Sequence, residues 1–325
     1  MPYALKILRL LADGAFHSGG SLGSALGISR AAAANYVRAV RALGAPVQSV
    51  RGRGHRLTEP LEFLDGAAIR AELGERASFL VGDLYVLPSV SSTNEWLMLR
   101  SEAGLAAGSI CLAEHQSAGR GRRGRTWQSP FAANIYLSAV WEFELDASRL
   151  GGLSLAIGVA VARAVAQCGC PDIGLKWPND LVWGSRKLGG ILLEVAGEMS
   201  ALTRVVVGVG LNVRMPVGVG GDIDQPWVDL QRASGALVSR NRVATVLINE
   251  LLPTLELFAK AGFAPFAADW AARDVTRGKQ VLLRSARAET SGIALGVDAG
   301  GALLLDVGGG IERFHGGEVS LRMGS

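Results

Sequence analysis

Residues 119–130 are the part of this chain best suited to binding an anion. They read GRGRRGRTWQSP, with four arginines and three glycines in the first seven positions. Glycine leaves the backbone supple and removes side-chain shielding, whereas arginine presents planar forks of hydrogen-bond donors. These residue types predict a loop that closes on a flat, anionic, phosphate-like ligand. We call residues 119–125 the arginine loop.

Other interpretations of the arginine loop depend on the element that comes after its glycines. Gly119, Gly121 and Gly124 match the G-x-G-x-x-G pattern of dinucleotide-binding folds. They also come close to a P-loop, with Arg125 where the lysine belongs. Both motifs require a helix directly after the glycines, but residues 134–141 alternate like a strand. We therefore reject both motifs, while composition alone leaves a disordered basic loop open.

A second candidate site is the run KWPND at residues 176–180. Lys176 ends a short apolar strand, and Pro178 fixes the turn after it. A lysine held rigidly among apolar neighbours can act as a point charge against a developing oxyanion or phosphate. A surface lysine before a turn is the alternative interpretation.

A third candidate stands where a helix is predicted to begin, at Ser92, Thr93 and Asn94. Hydroxyls, an amide and free backbone N–H groups at a helix N-terminus can bind a small polar ring. Ordinary capping by the same residues is the alternative. The glycine-rich runs at 187–190 and 208–212 either let the backbone approach a ligand closely or are turn glycines.

The sequence lacks the signatures of several other chemistries. It has no Ser-His-Asp order, no metal-ligand spacing and no paired carboxylates, so no protein metal site is predicted. Cations, glycines and an aromatic around a pocket suit phosphoryl or nucleotidyl transfer, because that chemistry depends mostly on positioning and charge stabilisation.

The basic character of the chain belongs to its N-terminal module. Residues 1–60 carry eight Lys or Arg against Asp13 and Glu59, a formal charge of +6, which leaves −2 for the rest of a chain with net charge +4. Apolar spacing predicts three helices, the third capped by Ser29, and then a basic hairpin over residues 47–57.

A hairpin beside a recognition helix is a wing, so we predict binding of duplex DNA. The residues predicted to contact DNA are Ser29, Arg30, Asn35, Arg38, Arg51 and Arg53. A protein-docking module with a solvated basic face is the alternative, because charge alone does not distinguish nucleic acid from an acidic protein.

The remaining sequence predicts two further domains. Strands and helices alternate through the middle of the chain, which is typical of an α/β domain around a mixed sheet, with a Gly- and Pro-rich insertion at 217–225. Four short strands separated by Gly-rich turns then predict a small β-barrel. The predicted fold is α+β and multidomain, with a winged helix-turn-helix at 1–62, a catalytic α/β domain at 63–273 and a β domain at 274–325.

Composition is consistent with this division. A length of 325 residues with 49% hydrophobic content supports two or three domains with real cores. No apolar run approaches the roughly 20 residues of a spanning helix, and the N-terminus lacks a signal-peptide layout, so we expect a cytoplasmic protein with no membrane partner. Cys111, Cys168 and Cys170 are predicted to be small, buried thiols.

Taken together, the motifs resemble those of the biotin–protein ligase family. They are Ser92 to Asn94, Gln116, the arginine loop, the runs at 176–180 and 187–191, and Gly-Leu-Asn212. The N-terminal helix-turn-helix extends the resemblance to the bifunctional members, which are also biotin operon repressors. The resemblance covers nearly the whole chain and implies that the C-terminal barrel is SH3-like.

This resemblance implies a two-step reaction. The carboxylate of biotin attacks the α-phosphate of ATP to give biotinyl-5′-AMP, with Mg²⁺ accompanying ATP. A lysine of the biotin carboxyl carrier protein of acetyl-CoA carboxylase then attacks the acyl group. The catalytic residues implied are Lys176, Arg120 and Arg122. The biotin-binding residues implied are Ser92, Thr93, Asn94, Gln116, Arg120, Gly121, Arg122 and Lys176. The nucleotide-binding residues implied are Arg122, Arg125, Trp127 and Asn212, with Trp127 stacked on adenine.

The resemblance also implies a homodimer that forms when the adenylate is bound and represses biotin biosynthesis genes at their operator DNA. Two rival hypotheses are a ligand-sensing regulator without ligase activity and a lipoate-type acyl ligase on a related fold. A sensor of biotin alone has no need of nucleotide-binding cations, so four cations argue against the first rival: Arg120, Arg122, Arg125 and Lys176.

Overall fold

The computed structural model describes residues 2–101, 103–144, 147–199, 202–216, 223–284, 288–316 and 320–323. Within these ranges the chain forms a helical N-terminal module, a central α/β domain and a C-terminal β domain, as the sequence predicts. Residues 217–222 of the predicted insertion lie outside the described residues.

The N-terminal module is a helix-turn-helix followed by a hairpin. Gly27 ends the second helix at a φ of +67°, and Ser29 caps the third, because its Oγ accepts a hydrogen bond from the backbone N–H of Ala32 at 3.1 Å. The predicted helices and wing are confirmed. They are α1 (Pro2–Leu11), α2 (Gly19–Leu26), α3 (Arg30–Ala42), β1 (Val47–Val50) and β2 (Gly54–Leu57).

Two short helices connect this module to the central domain, α4 (Gly66–Ala71) and α5 (Glu75–Leu80). They are separate helices, because the second begins after Gly74. Both rest against the later helix Arg240–Ala261, whose Asn249 side chain accepts a hydrogen bond from the backbone N–H of Gly74 at 2.9 Å. The connection is therefore part of the packed structure.

The central domain is built on a mixed sheet. Its described strands are β3 (Leu84–Leu87), β4 (Ile110–Ala113), β5 (Ile135–Phe143), β6 (Gly174–Lys176), β7 (Asp180–Trp183), β8 (Arg186–Met199) and β9 (Leu202–Leu211). They are hydrogen-bonded in the order β3-β4-β5-β9-β8-β7-β6. The pair β3 and β4 is parallel, and the other neighbouring pairs are antiparallel.

Helices cover both faces of this sheet. They are α6 (Thr93–Ser101), α7 (Leu153–Gln167), α8 (Leu230–Ser234), α9 (Arg240–Ala261) and α10 (Ala267–Arg273). Alternation along β5 divides the faces, because Leu137 and Ala139 join the main core with α7 and α9, whereas Val140 packs with Leu97 of α6. Thus α6 lies on the opposite face, here named the α6 face. The short helices α8 and α10 were not predicted.

The C-terminal domain is a small antiparallel sheet, as predicted. Its strands are β10 (Gln280–Arg284), β11 (Glu289–Val297), β12 (Leu303–Asp306), β13 (Ile311–Phe314) and β14 (Ser320–Met323), in the order β13-β12-β11-β10-β14. The sequence predicted the first four strands and not the fifth. Val281, Leu283 and Leu305 join the hydrophobic core of the central domain, so the two domains share one core.

Two sequence expectations concern the described residues as a whole. None of their helices is both long and apolar enough to cross a membrane, and they contain no group of three acidic, His or Cys side chains that could hold a metal ion. The thiols of Cys111, Cys168 and Cys170 are free, with the first and last buried and Cys168 half-buried. Burial raises the pKa of Cys111 to about 12, which keeps it an unreactive thiol.

Candidate functional site

A cavity of about 670 Å³ opens on the α6 face of the central sheet. Its walls are formed by four parts of the chain: the arginine loop, the start of α6, the β6–β7 turn, and the glycines of β8 and β9. It brings together every residue that the sequence predicts for the ligase site: Ser92, Thr93, Asn94, Gln116, Arg120, Gly121, Arg122, Arg125, Trp127, Lys176 and Asn212. A cavity of this size is typical of a small-molecule site.

The arginine loop is folded on itself by backbone hydrogen bonds. Gly121 N donates to Arg125 O at 2.7 Å, and Trp127 N donates to Gly119 O at 2.9 Å. A Cβ at Gly119 would lie only 2.6 Å from the carbonyl oxygen of Trp127, so this closure requires glycine. Arg123 holds the turn with a left-handed φ of +59°. The loop in this structure is therefore an ordered hairpin rather than the disordered segment that composition left open.

Arg122 connects the loop to two other parts of the protein. Its guanidinium donates to the Asn179 side chain at 3.3 Å and to the backbone carbonyl of Gly316 in the C-terminal domain. Burial lowers its pKa, and the charge of Asp180 opposes that shift. A guanidinium remains charged under such a shift, so Arg122 supplies a positive charge inside the cavity. The loop is thus closed against the β6–β7 turn and the C-terminal domain.

The start of α6 forms the polar floor of the cavity. Ser92 Oγ accepts a hydrogen bond from Glu95 N at 3.5 Å, so it caps the helix and also lines the cavity. Thr93 N donates to Gln116 Oε1 at 2.9 Å, and Gln116 Nε2 donates to Ser129 Oγ at 3.2 Å. The capping and ligand-binding interpretations are therefore compatible, because the residue that caps the helix also lines the cavity.

Glycines of β9 make room for the side chains of the site. A Cβ at Gly210 would lie 2.6 Å from Cε2 of Trp127, and a Cβ at Gly208 would lie 2.3 Å from Oδ1 of Asn94. Both glycines are inside a strand, so the turn interpretation of this run is wrong. The backbone approaches Trp127 and Asn94 closely, and this approach positions both side chains at the cavity.

Trp127 and Asn212 both line the cavity. Trp127 Nε1 is buried and has no hydrogen-bond partner among the described residues. Asn212 is buried as well, and its Nδ2 donates to Val228 O at 3.1 Å. An indole ring against bare glycine backbone offers one face on which a flat ring can stack.

Lys187 also lines the cavity; the sequence analysis named the run at 187–190 but gave the side chain of Lys187 no role. Its Nζ forms an ion pair with Asp180 at 2.7 Å and lies 5.7 Å from the centroid of the Trp127 ring. Lys187 is the second residue of β8, which begins at Arg186. A register shift in the β7–β8 pairing matches Leu181 with Gly189 and the next residue, Val182, with Lys187. The skipped residue, Leu188, reverses the alternation, so Lys187 faces the same side as Gly190.

The residues predicted to contact DNA lie on a separate surface. Arg30, Asn35, Arg38, Arg51 and Arg53 are exposed, and the first three share α3 while the last two occupy the tip of the wing. Ser29, also exposed, has its hydroxyl committed to capping α3. The guanidinium of Arg53 lies 4.3 Å from the centroid of the Phe16 ring, which braces the wing.

The fold and the cavity define a protein ligase of the biotin/lipoate class. Residues 86–212 match the model of the biotin/lipoate A/B protein ligase family, residues 4–56 match a helix-turn-helix domain model, and residues 276–322 match the biotin protein ligase C-terminal domain model. Biotin protein ligase from Aquifex aeolicus, solved with biotin and ATP, has a TM-score of 0.65 and 27% identity, over 74% of this chain and 99% of that one.

Two relatives narrow the class. The bifunctional ligase/repressor BirA of Escherichia coli is 42% identical over 98% of this chain and 97% of its own length. The biotin–[acetyl-CoA-carboxylase] ligase of Mycobacterium tuberculosis is 38% identical over 73% of this chain and 88% of its own length. The chain belongs to the biotin–protein ligase family, in the form that carries an N-terminal helix-turn-helix.

Proposed function

We propose that the protein is a biotin–protein ligase that makes biotinyl-5′-AMP from biotin and ATP and transfers biotin to a lysine of the biotin carboxyl carrier protein of acetyl-CoA carboxylase. The observation that carries this proposal is the convergence of the predicted biotin and nucleotide residues on one cavity of about 670 Å³. Polar groups at the start of α6 supply one end of that cavity, and cations with an indole supply the other.

In the first step, an oxygen of the biotin carboxylate attacks the α-phosphorus of ATP. The bond from that phosphorus to the bridging oxygen breaks, and diphosphate leaves. Lys176, Arg120 and Arg122 line the cavity and steady the negative charge on the reacting groups. We assign Lys187 to the same group of cations, because it shares the cavity and its pairing with Asp180 holds it in place.

In the second step, a carrier lysine amine attacks the acyl carbon of the adenylate. AMP leaves, the amine loses a proton and an amide forms. The closed arginine loop keeps water from the acyl phosphate until the carrier arrives, since water hydrolyses mixed anhydrides. Gly121 permits a close approach of the loop backbone to the ligand. Ser92, Thr93 and Gln116 bind the biotin ring, and Asn94 lines the cavity beside them.

Trp127 is proposed to stack on adenine, with Arg125 and Asn212 beside it. The Mg²⁺ that accompanies ATP needs few protein ligands, because phosphates and water fill most of its octahedral shell. Of the two carboxylates that line the cavity among the described residues, Asp180 is paired with Lys187, so the exposed Asp224 would be the group available to hold it. When bound, the ion offsets phosphate charge.

The N-terminal module adds a second activity. We propose that the adenylate-bound protein forms a homodimer, whose two recognition helices bind operator DNA of biotin biosynthesis genes in the cytoplasm. Domain boundaries after residues 62 and 273 would separate the DNA-binding module from the ligase domain, and the ligase domain from the C-terminal β domain. The arginines of α3 and of the wing are exposed and would contact phosphates.

One experiment separates the proposal from its rivals. The protein is incubated with ATP and either biotin or lipoate, and the products are identified by mass spectrometry. We expect biotinyl-5′-AMP and diphosphate in the incubation with ATP and biotin, and no adenylate in the incubation with ATP and lipoate. Lipoyl-AMP would indicate a lipoate ligase, and binding of biotin without any adenylate would indicate a sensor.

A further inference from the structure

Asn94, on the floor of the cavity, is held by the protein at both ends of its amide. Its Nδ2 donates to the Glu194 carboxylate at 2.7 Å and to the Leu192 carbonyl at 3.3 Å. Its Oδ1 lies 2.5 Å from Ser138 Oγ. A carboxylate can only accept hydrogen bonds, so Glu194 draws the NH₂ end towards itself and leaves the oxygen facing Ser138.

Ser138 transmits this orientation to Thr93. The Ser138 hydroxyl has one proton, and Asn94 Oδ1, which can only accept, takes it. The 2.7 Å contact between Ser138 Oγ and Thr93 Oγ1 must therefore use the proton of Thr93. Gln116 Oε1 is a second possible acceptor for the Thr93 proton, but it is more distant, at 3.1 Å from Thr93 Oγ1. If Thr93 donated to Gln116, the hydroxyl oxygens of Thr93 and Ser138 would be in contact with no proton between them. A directed chain runs from Thr93 through Ser138 and Asn94 to Glu194.

The surroundings of the chain keep its direction fixed. Ser138, in the middle of the chain of hydrogen bonds, is 0% exposed, so water does not offer its hydroxyl an alternative partner. Ser138, Gly208 and Leu192 are aligned across β5, β9 and β8. The missing side chain of Gly208 lets the amide of Asn94 lie directly on the sheet between its partners.

We propose that Glu194 is a positioning residue that makes the Thr93 hydroxyl a hydrogen-bond acceptor towards the cavity and thereby selects a ligand with an N–H donor. The inference rests on the proposed function, because biotin is the proposed ligand and its small, polar ureido ring carries two N–H donors. The proton of Thr93 is committed to Ser138, so its lone pairs remain for the ligand. The second carboxylate oxygen of Glu194 lies 3.4 Å from Arg120 Nη2, so the same residue also contacts the arginine loop.

The test compares biotin with its two cyclic carbamate analogues, in which one or the other ureido N–H is replaced by oxygen. Calorimetry on the full-length protein should show that the wild type binds at least one analogue about tenfold more weakly than biotin, the effect of one unmade hydrogen bond. In Glu194→Met and Ser138→Ala, biotin should bind about tenfold more weakly, and the preference over that analogue should shrink to within about twofold. A merely structural defect would weaken all ligands alike and leave the preference unchanged.

Further variants separate the chain from its neighbours. Glu194→Gln keeps an oxygen acceptor for Asn94 and should retain most of the preference, and the double variant Glu194→Met with Ser138→Ala should bind biotin no more weakly than either single variant. Glu142→Met is the matched control, because Glu142 pairs with Arg204 on the same sheet outside the cavity lining. Additive losses, or a Ser138→Ala variant with full preference, would overturn the inference. A wild-type protein that does not bind biotin would instead overturn the proposed function.

Discussion

The backbone N–H of Phe131 donates to the backbone carbonyl of Leu43 at 2.9 Å, which joins the segment leaving the cavity to the end of the recognition helix. Phe131 is buried in the hydrophobic cluster of the N-terminal module, and its ring meets that of Phe63 edge-on at a centroid distance of 6.3 Å. Trp127 of the cavity is four positions earlier in the chain. A short, packed segment therefore connects the two proposed activities.

Replacing Phe131 with Ala should destabilise this junction. Loss of a buried aromatic ring costs about 3 kcal/mol of unfolding free energy, measurable by urea denaturation. The gain in operator affinity on adding ATP and biotin should also shrink. Phe79→Ala is the control, because that ring is 78% exposed and its loss should change stability by less than about 0.5 kcal/mol. Equal stabilities of the two variants would contradict the assignment of Phe131 as an anchor.

Replacing Glu114 with Ala should be more damaging than replacing a surface carboxylate. Glu114 and Arg240 form an ion pair at 2.7 Å with side chains only 4% and 3% exposed, and Glu114 also accepts from Leu64 N at 2.6 Å. Removing one partner leaves a buried, uncompensated charge, which costs about 3–5 kcal/mol. Glu256→Ala breaks the more exposed pair with Arg76 and should cost at most about 1 kcal/mol. Denaturant midpoints of the two variants test the difference.

Local sequence signals predicted the elements that position the site. Ser29 caps α3 and Gly27 ends α2 because caps and left-handed glycines act over a few residues. Alternation over residues 134–141 likewise placed β5 correctly. The arginine loop was recognisable because its composition suits no core. Chemistry that is concentrated in a short run can be read without knowing the fold.

Features set by distant pairing were not predictable in this way. The register shift at Leu188 places Lys187 in the cavity, but a single extra residue leaves no mark on the strand pattern. Glu194 and Ser138 meet through Asn94 across 100 and 44 positions of sequence. The order of the strands decides which polar residues on different strands can bond to the same side chain. That order depends on the whole sheet and not on any one strand.

Replacing Lys176 with Ala should lower the rate of adenylate formation about 100- to 1000-fold, because the residue is proposed to stabilise charge that develops during reaction. Thermal unfolding should change little, and operator binding should also change little when biotinyl-5′-AMP is supplied ready-made. Diphosphate release in single-turnover experiments measures the effect. Lys260→Ala, which removes an exposed cation of α9 outside the cavity, is the control. A Lys176→Ala variant with near-normal turnover would remove this lysine from the mechanism.

Replacing Arg122 with Gly should release the adenylate rather than stop its synthesis. The change removes the contacts of the loop with Asn179 and with the Gly316 carbonyl, while Arg120 and Arg125 remain to bind phosphate. Free biotinyl-5′-AMP should then modify lysines of a bystander protein, which mass spectrometry detects. Arg122→Lys keeps the charge but not the fork of donors and should leak less. Unchanged selectivity in Arg122→Gly would refute the closing role of this residue.

Replacing Arg30 and Arg38 together with Ala should weaken operator binding without altering biotin transfer. Both side chains are exposed on α3 and are proposed to contact phosphates. The slope of log affinity against log salt concentration is negative, and each lost phosphate contact makes it less steep by about 0.9. The loss of both arginines should therefore make the slope less steep by about 2 per module. Point variants are preferred to deletion of the module, because deletion would uncover Phe131.

Operator titrations at several salt concentrations, with ATP and biotin present, measure the slope. The control is Arg277→Ala, which removes an exposed arginine outside the module. Sedimentation on the same samples should show dimers with the adenylate bound, in both the wild type and the double variant. An adenylate-bound wild type that stays monomeric and binds the operator no better than the free protein would refute the repressor mechanism and leave the ligase mechanism intact.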